Sequence, residues 1–239
     1  MGTSTGYTLP TSGNWGNFKR NVTGLGQSGA ASPSAVGRTL GNYVQAHGGA
    51  SSLAQQMATA NQAGATLGGF LAGVRSGGLG ESLRGIGLSN LIGKPASDVM
   101  RGFLNYLVGT SSLLNDDLVR NAFQDYQEEI AGHCETYEEL EIVLSRAAVL
   151  DTVEDNLKRF FGFFIFRKFQ RDCGEQLLKT CDTKYTARRI LQTVQDYIFE
   201  KINQLTQDRD LGQFNWRGQE GIALAQKIQE KAWRIFGEG

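Results

Sequence analysis

Residues 152–179 read TVEDNLKRFFGFFIFRKFQRDCGEQLLK. Wound at 3.6 residues per turn, Val153, Leu157, Phe160, Phe161, Phe164, Ile165 and Phe169 cover most of the circumference, and a helix that is apolar all round is a buried one. The most apolar run, Phe160 to Phe166, is bracketed by Lys158, Arg159, Arg167 and Lys168. It is far shorter than the ~20 residues a bilayer span needs. The stretch therefore predicts a helix at the centre of a protein core, with neighbours wrapped around it.

The flanking sequence supplies those neighbours. Pro95 suits a first helical turn, and Val99, Met100, Phe103, Leu104, Leu107 and Val108 repeat at one-face spacing before Gly109. A second helix carries Leu114, Leu118, Ala122, Phe123, Tyr126 and Ile130 and stops at Gly132. Thr136 with Glu139 has capping-box spacing, and Asp151 followed by Glu154 offers a similar start for the central helix. Beyond it, Thr186 to Leu205 and the run from about Gly218 to Phe236 show the same helical period. No alternating strand pattern and no internal repeat competes.

Upstream the signal weakens. Between Pro33 and about Ile92, Val36, Leu40 and Val44, then Leu53, Met57 and Ala60, then Leu67, Phe70, Leu71 and Val74 keep helical spacing, but glycines interrupt every stretch. Each interior glycine costs about 1 kcal/mol relative to alanine, so short helices packed on small faces are expected. Residues 1–32 are Gly, Ser, Thr and Asn with few apolar side chains, a composition that cannot bury enough surface to offset ordering. The fold expected is all-α: a flexible Gly/Ser/Thr-rich N-terminal tail (1–32), Gly/Ala-rich short helices packing on the body (33–92) and a helical bundle domain (93–239).

Charge divides along the same line. Formal charges balance at 24 bases against 24 acids, yet residues 1–80 hold Lys19, Arg20, Arg38 and Arg75 and no Asp or Glu. Balance overall gives no global pull toward nucleic acid or an anionic membrane. The three cysteines, Cys134, Cys173 and Cys181, are sparse and odd in number, which fits a reducing compartment. Met1 is followed by Gly2-Thr3-Ser4-Thr5-Gly6 rather than by the basic and apolar regions of a secretory signal, so a cytoplasmic location is expected. Gly6 stands where N-myristoylation wants Ser or Thr.

No constellation in the chain carries catalysis. Gly24-Leu25-Gly26-Gln27-Ser28-Gly29 matches the dinucleotide-binding pattern in letters only, because no acid precedes Glu81 to hold a ribose hydroxyl. Gly93-Lys94 fails as a phosphate loop twice, at Leu88 and at Pro95. His133 and Cys134 are adjacent loop residues without the paired spacing of a metal site. Asp116-Asp117, Glu128-Glu129 and Glu138-Glu139 fall in first turns or on polar faces, where the helix dipole favours the first-turn acids. Lys158, Arg159, Arg167, Lys168 and Arg171, with Arg188 and Arg189, read as solvated faces interleaved with acids. No metal and no cofactor is expected. Trp15, Phe18, Lys19 and Arg20 form the one dense patch of the tail, a candidate docking site for the body or for a partner. Gly2 has the small side chain that permits removal of Met1, leaving a glycine amine at the tip. An idle leader and an arm that enters another protein's active site both fit this composition.

In Met1-Gly2-Thr3-Ser4, in Val36-Gly37-Arg38 through Tyr43-Val44, in Leu91-Ile92-Gly93-Lys94-Pro95 followed by helix, and in the closing run Ile228 to Phe236, the chain resembles the QatB family. This is the small component, without an evident catalytic domain, of bacterial Qat anti-phage defence systems. The resemblance implies three partners: an ATPase, a QueC-like enzyme of 7-deazaguanine chemistry and a TatD-like nuclease. It further implies that the QueC-like enzyme attaches a deazaguanine group to the amine of Gly2, with Thr3, Ser4, Thr5, Gly6 and Tyr7 as the bound tail and the helical domain as a docking surface. The Gly/Asn-rich stretch after Leu9 departs from the more proline-rich composition of the family. A nucleic-acid-binding or scaffold subunit using the basic, acid-free half is the alternative, and its complexes would weaken steeply with salt.

Overall fold

The computed structural model describes residues 13–109, 114–150, 152–205, 214–216 and 218–237, and among them it contains helices and no strand. The α-helices are α1 (Gly13–Ser28), α2 (Pro33–Ala46), α3 (Ala50–Gln56), α4 (Ala58–Gly85), α5 (Ala96–Val108), α6 (Leu114–Ala131), α7 (Tyr137–Leu150), α8 (Val153–Thr180), α9 (Lys184–Asn203) and α10 (Gly218–Gly237). The all-α expectation holds.

Helix α8 is the axis of the molecule, packing against α1, α4, α6, α7, α9 and α10. Phe160, Phe161, Phe164, Ile165 and Phe169 are all fully buried on it, each such side chain contributing about 1.5–3 kcal/mol through burial. Its N-terminus is closed one residue later than the spacing of Asp151 and Glu154 suggests. Asp155 N–H donates to Thr152 Oγ1 at 3.2 Å while Thr152 N–H donates to Asp155 Oδ2 at 3.2 Å. The expected box at α7 forms as read, with Glu139 N–H donating to Thr136 Oγ1 and Thr136 N–H to Glu139 Oε2, both at 3.2 Å. Gly109, at φ +69°, closes α5.

Two expectations for the glycine-rich half need correction. Residues 13–28 are a helix, not part of a flexible tail, because Trp15, Phe18, Val22 and Leu25 recur on one face and are all buried. Glycine and asparagine composition conceals that stripe. The region after Pro33 is also less fragmented than expected, since α4 runs over 28 residues and breaks once, at Gly78 with φ +81°. Its interior glycines persist because neighbours occupy the space of their missing side chains. A Cβ on Gly64 would stand 2.7 Å from Phe161 Cζ, and one on Gly68 would stand 2.7 Å from the Trp216 ring. Close packing of α4 on α8 and on the residues leading into α10 is what the glycines permit. No described helix is long and apolar enough to cross a membrane.

Candidate functional site

The helix that begins the described chain is pinned by rings. Trp15 lies 4.9 Å from Phe18 and 5.7 Å from His47, and Phe18 lies 5.1 Å from Tyr43 and 6.0 Å from Phe169, all between ring centroids. Gln176 on α8 adds polar stitches, its Nε2 donating to Lys19 O at 2.9 Å and to Thr23 Oγ1 at 2.6 Å. Of the dense patch singled out in the sequence, Trp15 and Phe18 are therefore consumed by the body and present no ring to a partner. Lys19 and Arg20 face solvent, with Lys19 Nζ 5.9 Å over the Trp15 ring and Arg20 Nη2 donating to Asn17 Oδ1 at 3.1 Å. The four bases of the acid-free half are all exposed but spread over α1, α2 and α4.

Beneath those rings sits a charge cluster that sequence reading assigned to a solvated face. Lys168 and Asp172 have side chains 0% and 2% exposed, and Lys168 Nζ donates to Asp172 Oδ2. Tyr43 O–H donates to the same oxygen at 2.6 Å, and Arg171 Nε donates to Oδ1 at 3.2 Å. Burial pushes the Lys168 ammonium down to about 8 against the pull of Asp172. Burial alone would raise Asp172, but the Lys168 charge and the hydrogen bonds from Lys168 and Tyr43 outweigh it and hold the carboxyl below the usual range. Both groups are ionised at neutral pH. Lys158 is likewise buried, 3.2 Å from Glu154 Oε1 and donating to Leu205 O at 3.2 Å. In each case a carboxylate one turn away on α8 makes burial of the lysine tolerable, a signal that was present in the spacing.

A second feature is a half-open groove of about 570 Å³ between α4, α5 and the start of α10. Phe70, Tyr106, Trp216 and Ile222 form its apolar walls, Gly69, Gly73 and Gly77 its floor, and Glu81 is the charged residue that lines it. Sequence reading did not identify it, because Tyr106 and Trp216 are brought together only by the packing of α5 and α10 on α4.

The remaining candidates stay apart. His133 is exposed and Cys134 half-buried in the turn between α6 and α7, and among the described residues no three His, Cys, Asp or Glu side chains converge as a metal site would require. Cys173 is buried in α8, its thiol pushed well up by burial and by neighbouring Asp172, and its Sγ meets Phe169 O at 3.0 Å. Such a thiol is inert packing. Gly2 and the tail residues Thr3, Ser4, Thr5, Gly6 and Tyr7 lie outside the described residues.

A family model described as the Qat anti-phage system associated protein QatB matches residues 48–236. The chain belongs to the QatB family. No curated protein and no solved structure matches it. The span matched to QatB runs from α3 to the end of α10, so it contains Lys168, Asp172 and the groove but not α1 or α2. Of the stretches that carried the resemblance, Leu91 to Pro95 and Ile228 to Phe236 fall inside the QatB match, and Met1 to Ser4 and Val36 to Val44 precede it. The ring clamp thus joins the QatB-matched α8 and α10 to two helices outside the match.

Proposed function

We propose that this chain is a non-catalytic substrate or adaptor of the Qat anti-phage system, whose Gly2, once Met1 is removed, is bound and modified with a 7-deazaguanine group by a QueC-like partner. The system's ATPase and TatD-like nuclease complete the assembly. The observation that carries the reading is the contrast at Gly13. Behind it α1 is clamped to the body by Trp15 and Phe18, and ahead of it lies a leader with no charged side chain. A leader so composed meets no charge repulsion at the mouth of an anionic site. The choice of amine has a chemical basis. An α-amino group has an ordinary pKa near 7.7–8.0 against about 10.4 for lysine, so at neutral pH a far larger fraction is the unprotonated nucleophile. Glycine adds no side chain to hinder it.

The test is intact mass of the chain produced with and without its QueC-like neighbour, followed by peptide mapping. A mass increase confined to Gly2, abolished by N-terminal acetylation, is the expected result. An unmodified glycine terminus in the active assembly would refute the proposal.

A further inference from the structure

We propose that copies of this chain associate head to tail, the exposed face of α7 in one copy lying antiparallel on the N-terminal half of α9 in the next. Five large apolar side chains stand exposed among the described residues, and four of them fall on these two faces. They are Ile142 (68%) and Val149 (60%) on α7, Tyr185 (70%) on α9 and Leu178 (52%) on the last turn of α8. One exposed apolar side chain is ordinary. Here they come in pairs, Ile142 and Val149 two helical turns apart on one stripe, Leu178 and Tyr185 on either side of a three-residue turn. Paired exposure of this kind marks a docking surface.

Charge says what covers each face. The α7 stripe opens with exposed Glu135, Glu138 and Glu139 and holds one base, Arg146, between Ile142 and Val149. On α9, exposed Lys184, Arg188 and Arg189 surround Tyr185, and no acid occurs between Asp182 and Asp196. Bases in the first turns of a helix run against its dipole, and none of these three forms an ion pair with a described residue. An acidic, apolar face and a basic, apolar face on one molecule complement each other across copies.

The spacing matches as well. In the antiparallel register that sets Ile142 on Tyr185, Glu138 falls opposite Arg189 and Glu139 opposite Arg188, while Arg146 reaches the turn that carries Asp182. Val149 then comes to the corner where Leu178 is exposed.

Within one chain the two faces cannot meet. Val149 lies four residues before Val153, where α8 begins, whereas Leu178 and Tyr185 lie at the far end of that 28-residue helix. At 1.5 Å per residue the two ends are about 42 Å apart, and α7 makes no contact with α9 among the described residues. A contact between two different faces leaves an unused face on each copy, so it extends into a row of copies unless the rotation closes a ring. Two single-helix faces fall below the ~1,200 Å² of a stable interface, so the association is weak and depends on concentration. It stands on these faces alone and not on the Gly2 reading.

The test is sedimentation velocity of the full chain from about 5 to 500 µM, the range in which so small an interface assembles, at about 0.05 and 0.5 M salt. Expected is a weight-average mass that rises with concentration and falls at high salt. Glu135→Arg/Glu138→Arg, which spares the capping Glu139, and Arg188→Glu/Arg189→Glu should each weaken self-association by about fivefold or more, since each sets like charges face to face. An equimolar mixture of the two variants should recover the parent's association, because the reversed α7 of one complements the reversed α9 of the other. All four positions are exposed, so the urea unfolding curves of the variants should overlay the parent's. A chain that stays monomeric throughout, an association that only one reversal weakens, or a mixture no better than its components would overturn the proposal. The first is the result expected if a different protein covers these faces, the second if α7 or α9 pairs with its own counterpart.

Discussion

Asp172→Ala should cost the fold about 3–5 kcal/mol, far more than a surface ion pair is worth. Lys168 is fully buried with its Nζ 5.5 Å over the Tyr43 ring, and Asp172 is the carboxylate that Nζ bonds. Without that carboxylate nothing from Asp172 opposes the desolvation that already lowers the Lys168 ammonium, which favours the neutral amine. Neutralising a lysine of ordinary pKa near 10.4 at pH 7 costs about 4.6 kcal/mol, at 1.36 kcal/mol per unit, which sets the scale from a second direction. The measurement is urea unfolding followed by far-UV circular dichroism at pH 7 and fixed salt, with the m-value checked for constancy. The triple variant Tyr43→Phe/Lys168→Met/Asp172→Leu removes the buried ammonium together with its carboxylate and leaves Arg171, whose side chain is a quarter exposed, so it should recover much of the deficit of the single variant. The deficit of Asp172→Ala should also shrink as pH rises toward about 8, where the folded parent gives up the Lys168 proton that the variant has already lost, and stay level above it, since the two chains share one unfolded state. A loss below about 1 kcal/mol for Asp172→Ala, or a triple variant as unstable as the single one, would refute the account of the cluster.

The glycines predict opposite signs. Gly24→Ala lies on the exposed face of α1 with nothing within 4 Å of the new Cβ and should stabilise the chain by up to about 1 kcal/mol, whereas Gly68→Ala drives a methyl into the Trp216 ring and should destabilise it by about 1–3 kcal/mol; urea midpoints read both. Acid should loosen the α1–α2 clamp in two steps. Burial lowers His47 despite its Nδ1–H donating to Tyr43 O at 2.9 Å, so the unfolded chain binds more protons once pH falls below about 6.5, and stability declines from there until the folded ring itself protonates. Asp172, also depressed, contributes stability above its ordinary range near 3.8 and loses it as pH falls through its lower folded value. The first decline should flatten in His47→Gln, and an unchanged slope between pH 6.5 and 5 would exclude His47 as its source.

What the sequence discloses depends on whether the information is local. The capping box of α7, the stop at Gly132 and the all-round apolarity of α8 are written in neighbouring residues, and the structure repeats them. Helix α4 is different, because the offset to its glycine cost comes from Phe161, Trp216 and Ala225, residues far along the chain. Helix α1 shows the opposite failure. Its stripe of Trp15, Phe18, Val22 and Leu25 is local and legible, but average composition over 1–32 outweighs four residues. Lys168 marks the boundary between the two cases. Asp172 at i+4 announces a pair, yet nothing nearby announces that Tyr43, from a helix more than a hundred residues earlier, will close over it. The groove is wholly non-local, and composition does not tell an acceptor at Gly2 from an idle leader.

The absence of acids before Glu81 has a structural counterpart in how α8 handles its buried charge. Helices α1, α2 and most of α4 pack on α8 or beside it but bring no carboxylate, so none of them can neutralise Lys168 or Arg171. The counter-charge has to come from elsewhere, and α8 supplies it internally through Asp172. What the N-terminal half delivers instead is neutral: the Tyr43 hydroxyl, the rings of Trp15 and Phe18, and small-residue surfaces. Docking of the N-terminal helices is then governed by apolar burial and a few hydrogen bonds, terms that salt screens little. Residues 2–12, which precede α1, likewise hold no charged side chain.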